Sequence, residues 1–245
     1  MTPLLEADRL SKSFGGLHAV KDLSFDVREG EMLALIGPNG AGKTTVFALL
    51  SGFLRPDGGD IRLRGRSVLG EKPHAIVARG LCRTFQIVRP FPRLSVLRNV
   101  MVGALARHPQ LRAAEARARA VLEEVGLARA HDRPAGGLTL AERKRLELAR
   151  ALATEPALLL LDEVMAGLND AETERIVDLV RRINGRGVAI LLIEHVMRAV
   201  MALAQRIVVI SGGERIAEGA PDAVARDPRV IEAYLGDEHV DAAPA

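Results

Sequence analysis

The stretch MLALIGPNGAGKTT, residues 32–45, places five apolar residues directly before a glycine-rich loop. The loop has the pattern Gly, four residues, Gly-Lys-Thr, and the residues from Thr44 onward, TTVFALLSGF, have the composition of a helix. A strand, a glycine loop and a helix in this order bind phosphate, because the loop amides point inwards and the helix N-terminus carries partial positive charge. The stretch therefore predicts an α/β protein that binds a nucleotide by its phosphates.

Individual residues of this loop have distinct predicted roles. We expect the Lys43 ammonium to reach the β and γ phosphates of ATP, and the Thr44 hydroxyl to bind Mg²⁺. The glycines allow backbone amides to approach the phosphates closely. A glycine-rich turn without a ligand is the alternative, and the flanking strand and helix argue against it. The predicted ATP contacts of the loop are Gly37, Asn39, Gly40, Ala41, Gly42, Lys43, Thr44 and Thr45.

Apolar runs of strand length recur along the chain, with helical segments between them. The runs at 32–36, 158–161 and 188–193 lack polar alternation, which is typical of central strands covered on both faces. Between these runs, the chain past about residue 90 has only helical patterns until the run at 158 begins. The sequence thus predicts a discontinuous ATP-binding core of residues 1–90 and 154–236, an inserted helical subdomain of residues 91–153, and a flexible tail of residues 237–245.

Composition argues against several classes of protein. The 245 residues carry a net charge of +3 and include six Phe, one Tyr and no Trp to stack on bases, so we expect no nucleic acid partner. One cysteine, Cys82, permits no internal disulfide, and we expect it to be buried and inert. No apolar run approaches the roughly 18 residues of a membrane span, and the N-terminus lacks a signal peptide pattern. These features predict a cytoplasmic protein.

Two acids follow the buried run LLLL at 158–161. We expect Asp162 to enter the Mg²⁺ shell and Glu163 to polarise the water that attacks ATP. The run at 188–193 leads to His195, which is placed to donate to the γ-phosphate. Paired acids in a solvated turn and a purely structural histidine are the alternatives, and the preceding phosphate loop favours the catalytic interpretation of the acids.

The segment GLTLAERKRLELARAL, residues 137–152, predicts a helix. Thr139 and Glu142 have the spacing of a capping box, and Leu148 and Leu152 fall on one apolar face. The basic residues 143–145 predict a solvated helix face, with contact to lipid headgroups or a partner as the lesser alternative. Taken alone, the segment is explained as an ordinary surface helix.

The order of these motifs resembles the nucleotide-binding subunit of an ABC transporter. Phe14, the phosphate loop, TFQ at 84–86, the LTLAE helix, LLLLDE, AGLN at 166–169 and EH at 194–195 carry the resemblance over nearly the whole chain. It implies a P-loop NTPase core of the RecA-like type with an antiparallel β subdomain and an inserted α-helical subdomain. It also implies that Phe14 stacks on adenine, that Glu163 is the catalytic base, and that His195 is the switch histidine. In the same family, the counterpart of Gln86 contacts Mg²⁺ and water and couples to the membrane domain.

The LTLAE segment matches the position at which family members carry Leu-Ser-Gly-Gly-Gln. That element contacts the ATP bound to the opposite subunit, so Thr139, Leu140, Ala141 and Glu142 are expected to act in trans. Thr139 keeps a hydroxyl, whereas Leu140 and Ala141 add Cβ atoms where glycine backbone would approach phosphate. The resemblance thus makes the helix a divergent signature element. Val164 and Asn169 also depart from the commoner proline and aspartate.

The finer resemblance is to ATPases of branched-chain (hydrophobic) amino-acid importers, through RTFQIVRPFPRLSVLRNVMVG, DEVMAGLN and VIEAYLG. It implies two membrane permease subunits and a second ABC ATPase, either a copy of this chain or a relative, as partners. A periplasmic substrate-binding protein would act indirectly, and the chain would lie on the inner face of the cell membrane. A lipopolysaccharide exporter ATPase and a soluble ABC ATPase are the alternatives. A regulator without turnover would require damaged acids, which Asp162 and Glu163 argue against.

Overall fold

The computed structural model describes residues 3–86 and 89–238, which form two β-sheets and a set of packed helices. Within these residues the strands are β1 (Leu5–Phe14), β2 (Leu17–Val27), β3 (Met32–Ile36), β4 (Gly58–Leu63), β5 (Arg66–Ser67), β6 (Leu81–Arg83), β7 (Leu158–Asp162), β8 (Ala189–Ile193), β9 (Arg206–Ser211) and β10 (Glu214–Gly219). The α-helices are α1 (Lys43–Leu50), α2 (Pro73–Ala78), α3 (Val96–Ala104), α4 (Leu111–Glu124), α5 (Leu140–Leu152), α6 (Asp170–Asn184), α7 (Met197–Leu203), α8 (Pro221–Val224) and α9 (Pro228–Glu238).

The larger sheet has six strands in the order β10-β9-β3-β8-β7-β6. All neighbours pair in parallel except β10, which is antiparallel to β9. Because β3, β8 and β7 are adjacent and parallel, their carboxyl ends meet at one edge, where ligands bind in open α/β sheets. This edge brings the glycine loop, the paired acids and the EH segment onto one side of the molecule.

The central strands are buried at every position, as the absence of polar alternation predicted. Alternate residues face opposite cores: Ala34 and Ile36 belong to one apolar cluster, and Leu33 and Leu35 to the other. The first cluster includes residues of helices α3 to α7, and the second lies between the large sheet, α1 and the smaller sheet. The sheet is therefore covered on both faces.

The smaller sheet is antiparallel, with the order β2-β1-β4-β5. Strands β1 and β2 form a hairpin in which Phe14 pairs with Leu17, on either side of Gly15 and Gly16. Gly15 has a positive φ of 57°, a conformation that glycine adopts without steric cost. The α/β fold with an antiparallel β subdomain and a helical insertion, predicted from the sequence, is confirmed.

The helices between β6 and β7, α3 to α5, all fall within residues 91–153. It stays a prediction that residues 1–90 and 154–236 form one structural unit, the core, and that residues 91–153 form another, the helical subdomain. The predicted flexible tail, 237–245, begins inside α9, which continues to Glu238. Residues 239–245 lie outside the described part of the chain. Among the described helices, none combines the length and apolar composition that crossing a bilayer requires.

Candidate active site

The glycine loop connects β3 to α1 and can be built only with glycine at two of its positions. Gly37 and Gly42 have φ values of 156° and 101°. A Cβ atom at Gly37 would lie 2.0 Å from the Ile210 carbonyl oxygen, and one at Gly42 would lie 2.2 Å from the Ala19 carbonyl oxygen. The loop is therefore pressed against β9 on one side and β2 on the other. This packing fixes its curvature around the space in front of α1.

The Lys43 ammonium and the first-turn amides of α1 both lie at this loop. The Lys43 ammonium donates to the carbonyl oxygens of Gly37, at 2.7 Å, and Pro38, at 2.8 Å, so the side chain folds back over the loop. Gly42 is the N-cap of α1 and has no side chain to accept from the first-turn amides. Those amides, together with the helix dipole and Lys43, form an anion site.

A cleft of about 650 Å³ opens in front of the loop. Phe14 lines it with a ring that is 47% exposed, and the Lys12 ammonium lies 5.7 Å from the ring centroid. The structure thus brings together most residues predicted to bind ATP within one chain. The cleft is lined by Phe14, Leu17, His18, Ala19, Lys21, Asn39, Gly40, Ala41, Gly42, Lys43, Thr44, Thr45, Gln86, Glu163 and Gly212.

Glu163 enters this cleft from the end of β7 in an unusual backbone conformation. Its φ is 48°, in the left-handed region that few residues other than glycine adopt. Its N–H donates to the Ile193 carbonyl at 2.9 Å, which ties it to the end of β8. The Gln86 amide Nε2 donates to the Glu163 Oε2 at 2.5 Å. Gln86 and Glu163, which were predicted separately as catalytic residues, are therefore in direct contact.

Asp162 is buried next to a second cavity of about 660 Å³ that Thr44 and Gln86 also line. A hydroxyl, a carboxylate and an amide oxygen are the hard donors that Mg²⁺ prefers. These three residues, predicted as metal ligands, all line this cavity, and the donor types they carry fit Mg²⁺. The Asp162 backbone N–H donates to Thr84 Oγ1 at 3.1 Å, which fixes the end of β7 against the segment after β6.

Arg83 is a site residue that the sequence analysis missed. Its guanidinium Nη2 donates to Asp162 Oδ2 at 2.7 Å, with both side chains buried. The guanidinium carbon lies 5.7 Å from the ring centroid of Phe47 and 5.3 Å from that of Phe85. Arg83 reaches Asp162 only because β6 pairs with β7, so no local sequence pattern predicts this contact.

The prediction that residues 143–145 form a solvated basic face is wrong for Lys144. This side chain is buried, and its Nζ donates to the Glu163 carbonyl oxygen at 2.8 Å. Its position on the inner face of α5 could have been read from the helical spacing to Leu148. The free Cys82 is buried as expected, and burial raises the pKa of its thiol.

Glu194, the acid of the EH segment, is a buried ionisable group for which the sequence indicated no role. Its carboxylate accepts from the Met165 N–H at 2.9 Å, and burial raises its pKa to about 7. The neighbouring His195 is exposed and is absent from the described residues that line the ATP cleft. Its predicted contact with the γ-phosphate stays a prediction.

The LTLAE segment lies away from the cleft of its own chain. Thr139 Oγ1 accepts from the Glu142 N–H at 3.2 Å, and the Glu142 carboxylate accepts from the Thr139 N–H at 2.9 Å, so the predicted capping box is present. Leu140 is 41% exposed in the first turn of α5. Thr139, Leu140, Ala141 and Glu142 do not appear among the described residues of the cleft. Within one chain, the four residues that are expected to contact the partner's ATP are therefore separate from the phosphate loop.

Comparisons with known proteins agree with this geometry. The chain matches the family model described as ABC transporter over residues 20–166, and the model described as branched-chain amino acid ATP-binding cassette transporter over residues 214–240. It is 42% identical to the high-affinity branched-chain amino acid transport ATP-binding protein LivG of Salmonella typhimurium, over 96% of this chain and 98% of that protein.

Two further comparisons cover similar lengths. The lipopolysaccharide export system ATP-binding protein LptB of Acidithiobacillus ferridurans is 35% identical over 97% of this chain and 99% of its own length. The ADP conformation of MJ1267, an ATP-binding cassette of an ABC transporter, superposes with a TM-score of 0.87 at 29% identity, covering 96% of this chain and all of that one. The chain therefore belongs to the ABC transporter family, as a nucleotide-binding subunit that hydrolyses ATP.

Proposed function

We propose that this chain powers an importer of branched-chain or other hydrophobic amino acids. The observation that carries the proposal is the contact between Gln86 and Glu163, which both line the ATP cleft. The C-terminal segment of the chain also matches the family model of branched-chain amino acid ATP-binding cassette transporters. Membrane permeases are the partners of such a subunit. The substrate is selected by the permeases and a periplasmic binding protein, which this chain serves indirectly.

The cleft supplies the groups for ATP hydrolysis. The loop amides and Lys43 bind the phosphates, and Phe14 stacks on the adenine. Thr44, Gln86 and Asp162 would hold Mg²⁺, which would supply positive charge to offset the charge of the phosphates. Glu163 accepts the proton of the attacking water, and Gln86 holds its carboxylate towards the cleft. His195 donates to the γ-phosphate once the site is closed.

The separation of the signature segment from its own cleft supports a two-subunit site. A second ABC ATPase, either this chain or a relative, places its own signature over the ATP bound here. Thr139, Leu140, Ala141 and Glu142 of this chain act on the partner's ATP. ATP binding favours the closed pair, and hydrolysis reopens it, so the difference in affinity between the two states drives the permeases.

Coupling to the permeases runs through Gln86. This residue lines both the ATP cleft and the second cavity, whose lining includes the exposed Phe85 and Val102 and the basic Arg150. An apolar and basic groove of this kind fits a permease helix at the inner face of the cell membrane. Movement of that helix reaches Glu163 through its contact with Gln86. The location of the chain is thus cytoplasmic and peripheral to the membrane.

Replacing Glu163 with glutamine in the assembled complex tests the assignment of the base. Turnover of ATP should fall by at least about a hundredfold while ATP still binds, because the amide cannot accept the water proton. Glu174→Gln, on the exposed face of α6, is the matched control and should leave turnover unchanged. Turnover of Glu163→Gln within tenfold of the parent would refute the assignment.

Purification of the complex from native membranes tests the transport assignment. Recovery of two permeases with a second ATPase, and stimulation of turnover by a binding protein loaded with leucine, supports the importer. Recovery of lipopolysaccharide export permeases would replace it with the exporter. Salt-sensitive recovery on DNA or ribosomes, without permeases, would indicate a soluble ABC ATPase instead.

A further inference from the structure

Lys144 is the only lysine that is buried among the described residues, with 3% of its surface exposed. It lies on α5, five residues after the Thr139 cap of the signature segment. A charged ammonium in the interior requires hydrogen-bond acceptors and nearby negative charge to offset the loss of water. The identity of its partners therefore indicates why a lysine is placed here.

The partners of Lys144 are backbone atoms of two site residues. Its Nζ donates to the Glu163 carbonyl oxygen at 2.8 Å and to the Gln86 carbonyl oxygen at 3.5 Å. Burial lowers the pKa of the Lys144 ammonium, and four nearby carboxylates oppose this effect: those of Glu194, Glu163, Asp162 and Glu147. One side chain on the signature helix thus contacts both members of the Gln86–Glu163 pair.

The contact with Glu163 matters because the backbone of that residue is strained. A non-glycine residue with a φ of 48° persists only where surrounding bonds hold it. The Glu163 N–H donates to the Ile193 carbonyl, and the Glu163 carbonyl oxygen accepts from the Lys144 ammonium at 2.8 Å and from the Ala166 N–H at 3.2 Å. Without the ammonium, this carbonyl loses the shorter of its two hydrogen bonds and keeps only the bond from the Ala166 N–H, so the peptide that follows Glu163 is held less firmly.

We propose that Lys144 is a positioning residue that fixes the backbone of Glu163 and links it to Gln86 and the signature helix. The proposal rests on the assignment of Glu163 as the catalytic base. Because α5 begins at the element that contacts the partner's ATP, a displacement of this helix moves the ammonium and, with it, the base of this chain's own site. Lys144 thus connects the helix that contacts the partner's ATP directly to the catalytic base of this chain's own ATP site.

The test compares Lys144→Met and Lys144→Gln with Arg145→Met, a control on the same helix, in the full-length chain. ATP turnover, its KM, the affinity for a fluorescent ADP analogue and thermal unfolding are measured for each variant. Lys144→Met should lower kcat by at least about tenfold with KM and ADP affinity within about twofold, because binding groups remain in place. Lys144→Gln keeps a donor and should recover part of kcat, and Arg145→Met should match the parent.

Retention of the parent kcat in Lys144→Met would overturn the proposal. Equal losses of kcat and nucleotide affinity, or failure of both Lys144 variants to fold, would also overturn it, because these results would assign the lysine to core stability alone. Glu163→Gln is measured in parallel. If that variant keeps full turnover, the assignment of the base has failed; if it is inactive while Lys144→Met is not, only the positioning role has failed.

Discussion

Replacing Glu194 with glutamine should remove a pH dependence from the stability of this protein. The Glu194 side chain is 2% exposed, and its second carboxylate oxygen, Oε2, has no hydrogen-bond partner within the described residues. Burial raises its pKa from 4.5 to about 7, although the Met165 N–H and the Lys144 ammonium both favour the charged form. Desolvation is therefore larger than the stabilisation from these two partners.

The sign follows from which state holds the proton. The unfolded chain releases it near pH 4.5, whereas the folded chain keeps it up to about pH 7. The stability contributed by neutral Glu194 is thus complete below pH 4.5 and is lost as the pH rises through about 7. At about 1.36 kcal/mol per pKa unit, the whole difference is about 3 kcal/mol, of which about 2 kcal/mol falls between about pH 5.5 and 8.

Urea unfolding of the parent and Glu194→Gln at several pH values in this range measures the effect. Glutamine stays neutral throughout, so the variant should gain about 2 kcal/mol relative to the parent as the pH rises from about 5.5 to 8. Glu174→Gln, on the exposed face of α6, serves as the control and should show a constant difference. A constant difference for Glu194→Gln as well would refute the conclusion that burial keeps this carboxyl protonated.

Three further predictions concern the metal, the loop and the signature. Arg83→Met should destabilise the nucleotide-free chain by about 3 kcal/mol, because Asp162 loses its buried counter-ion. Adding Mg²⁺–ADP should then raise the unfolding temperature of this variant more than it raises that of the parent. An equal rise in both proteins would contradict the Mg²⁺ role of Asp162. Gly42→Ala should weaken binding of a fluorescent ADP analogue by at least about tenfold, because the alanine Cβ would lie 2.2 Å from the Ala19 carbonyl oxygen. Gly70→Ala is the control: this glycine has a φ of 76° but open space around it, so the variant should bind the analogue as the parent does. Leu140→Gly combined with Ala141→Gly should raise turnover at the partner's site, at a cost in stability below the roughly 1 kcal/mol per glycine of a helix interior, because both residues lie in the first turn of α5. Unchanged turnover in the assembled pair would show that these side chains do not obstruct the partner's ATP.

Local patterns in the sequence accounted for the elements whose chemistry is contained in a short segment. The run before Gly37 is a buried strand because five apolar residues can be accommodated only inside the sheet. The Thr139–Glu142 capping box forms because both partners lie within one helical turn. Motif order then fixed the family, since each motif had its required strand or helix beside it.

Short or nonlocal features were not predictable in this way. Strand β6 has three residues, Leu81–Arg83, too few to show a period, and it exists because β7 offers it a parallel neighbour. Strand β6 therefore reflects a tertiary contact rather than a local preference. Helix α9 continues to Glu238, past the start of the predicted tail at residue 237, and the tail itself stays a prediction.

The sequence by itself determined the phosphate loop, the buried strands, the pair of acids and the divergent signature helix, because each depends on residues close together in the chain. Only the tertiary structure decided which charged groups are buried around these motifs. Arg83 meets Asp162 across two strands, and Lys144 meets Glu163 across the helix–sheet interface. The spacing to Leu148 indicates that Lys144 lies on the inner face of α5, but no local pattern indicates its acceptors, and none indicates the burial of Arg83. The role of such residues therefore depends on which distant partners the fold brings within hydrogen-bond distance.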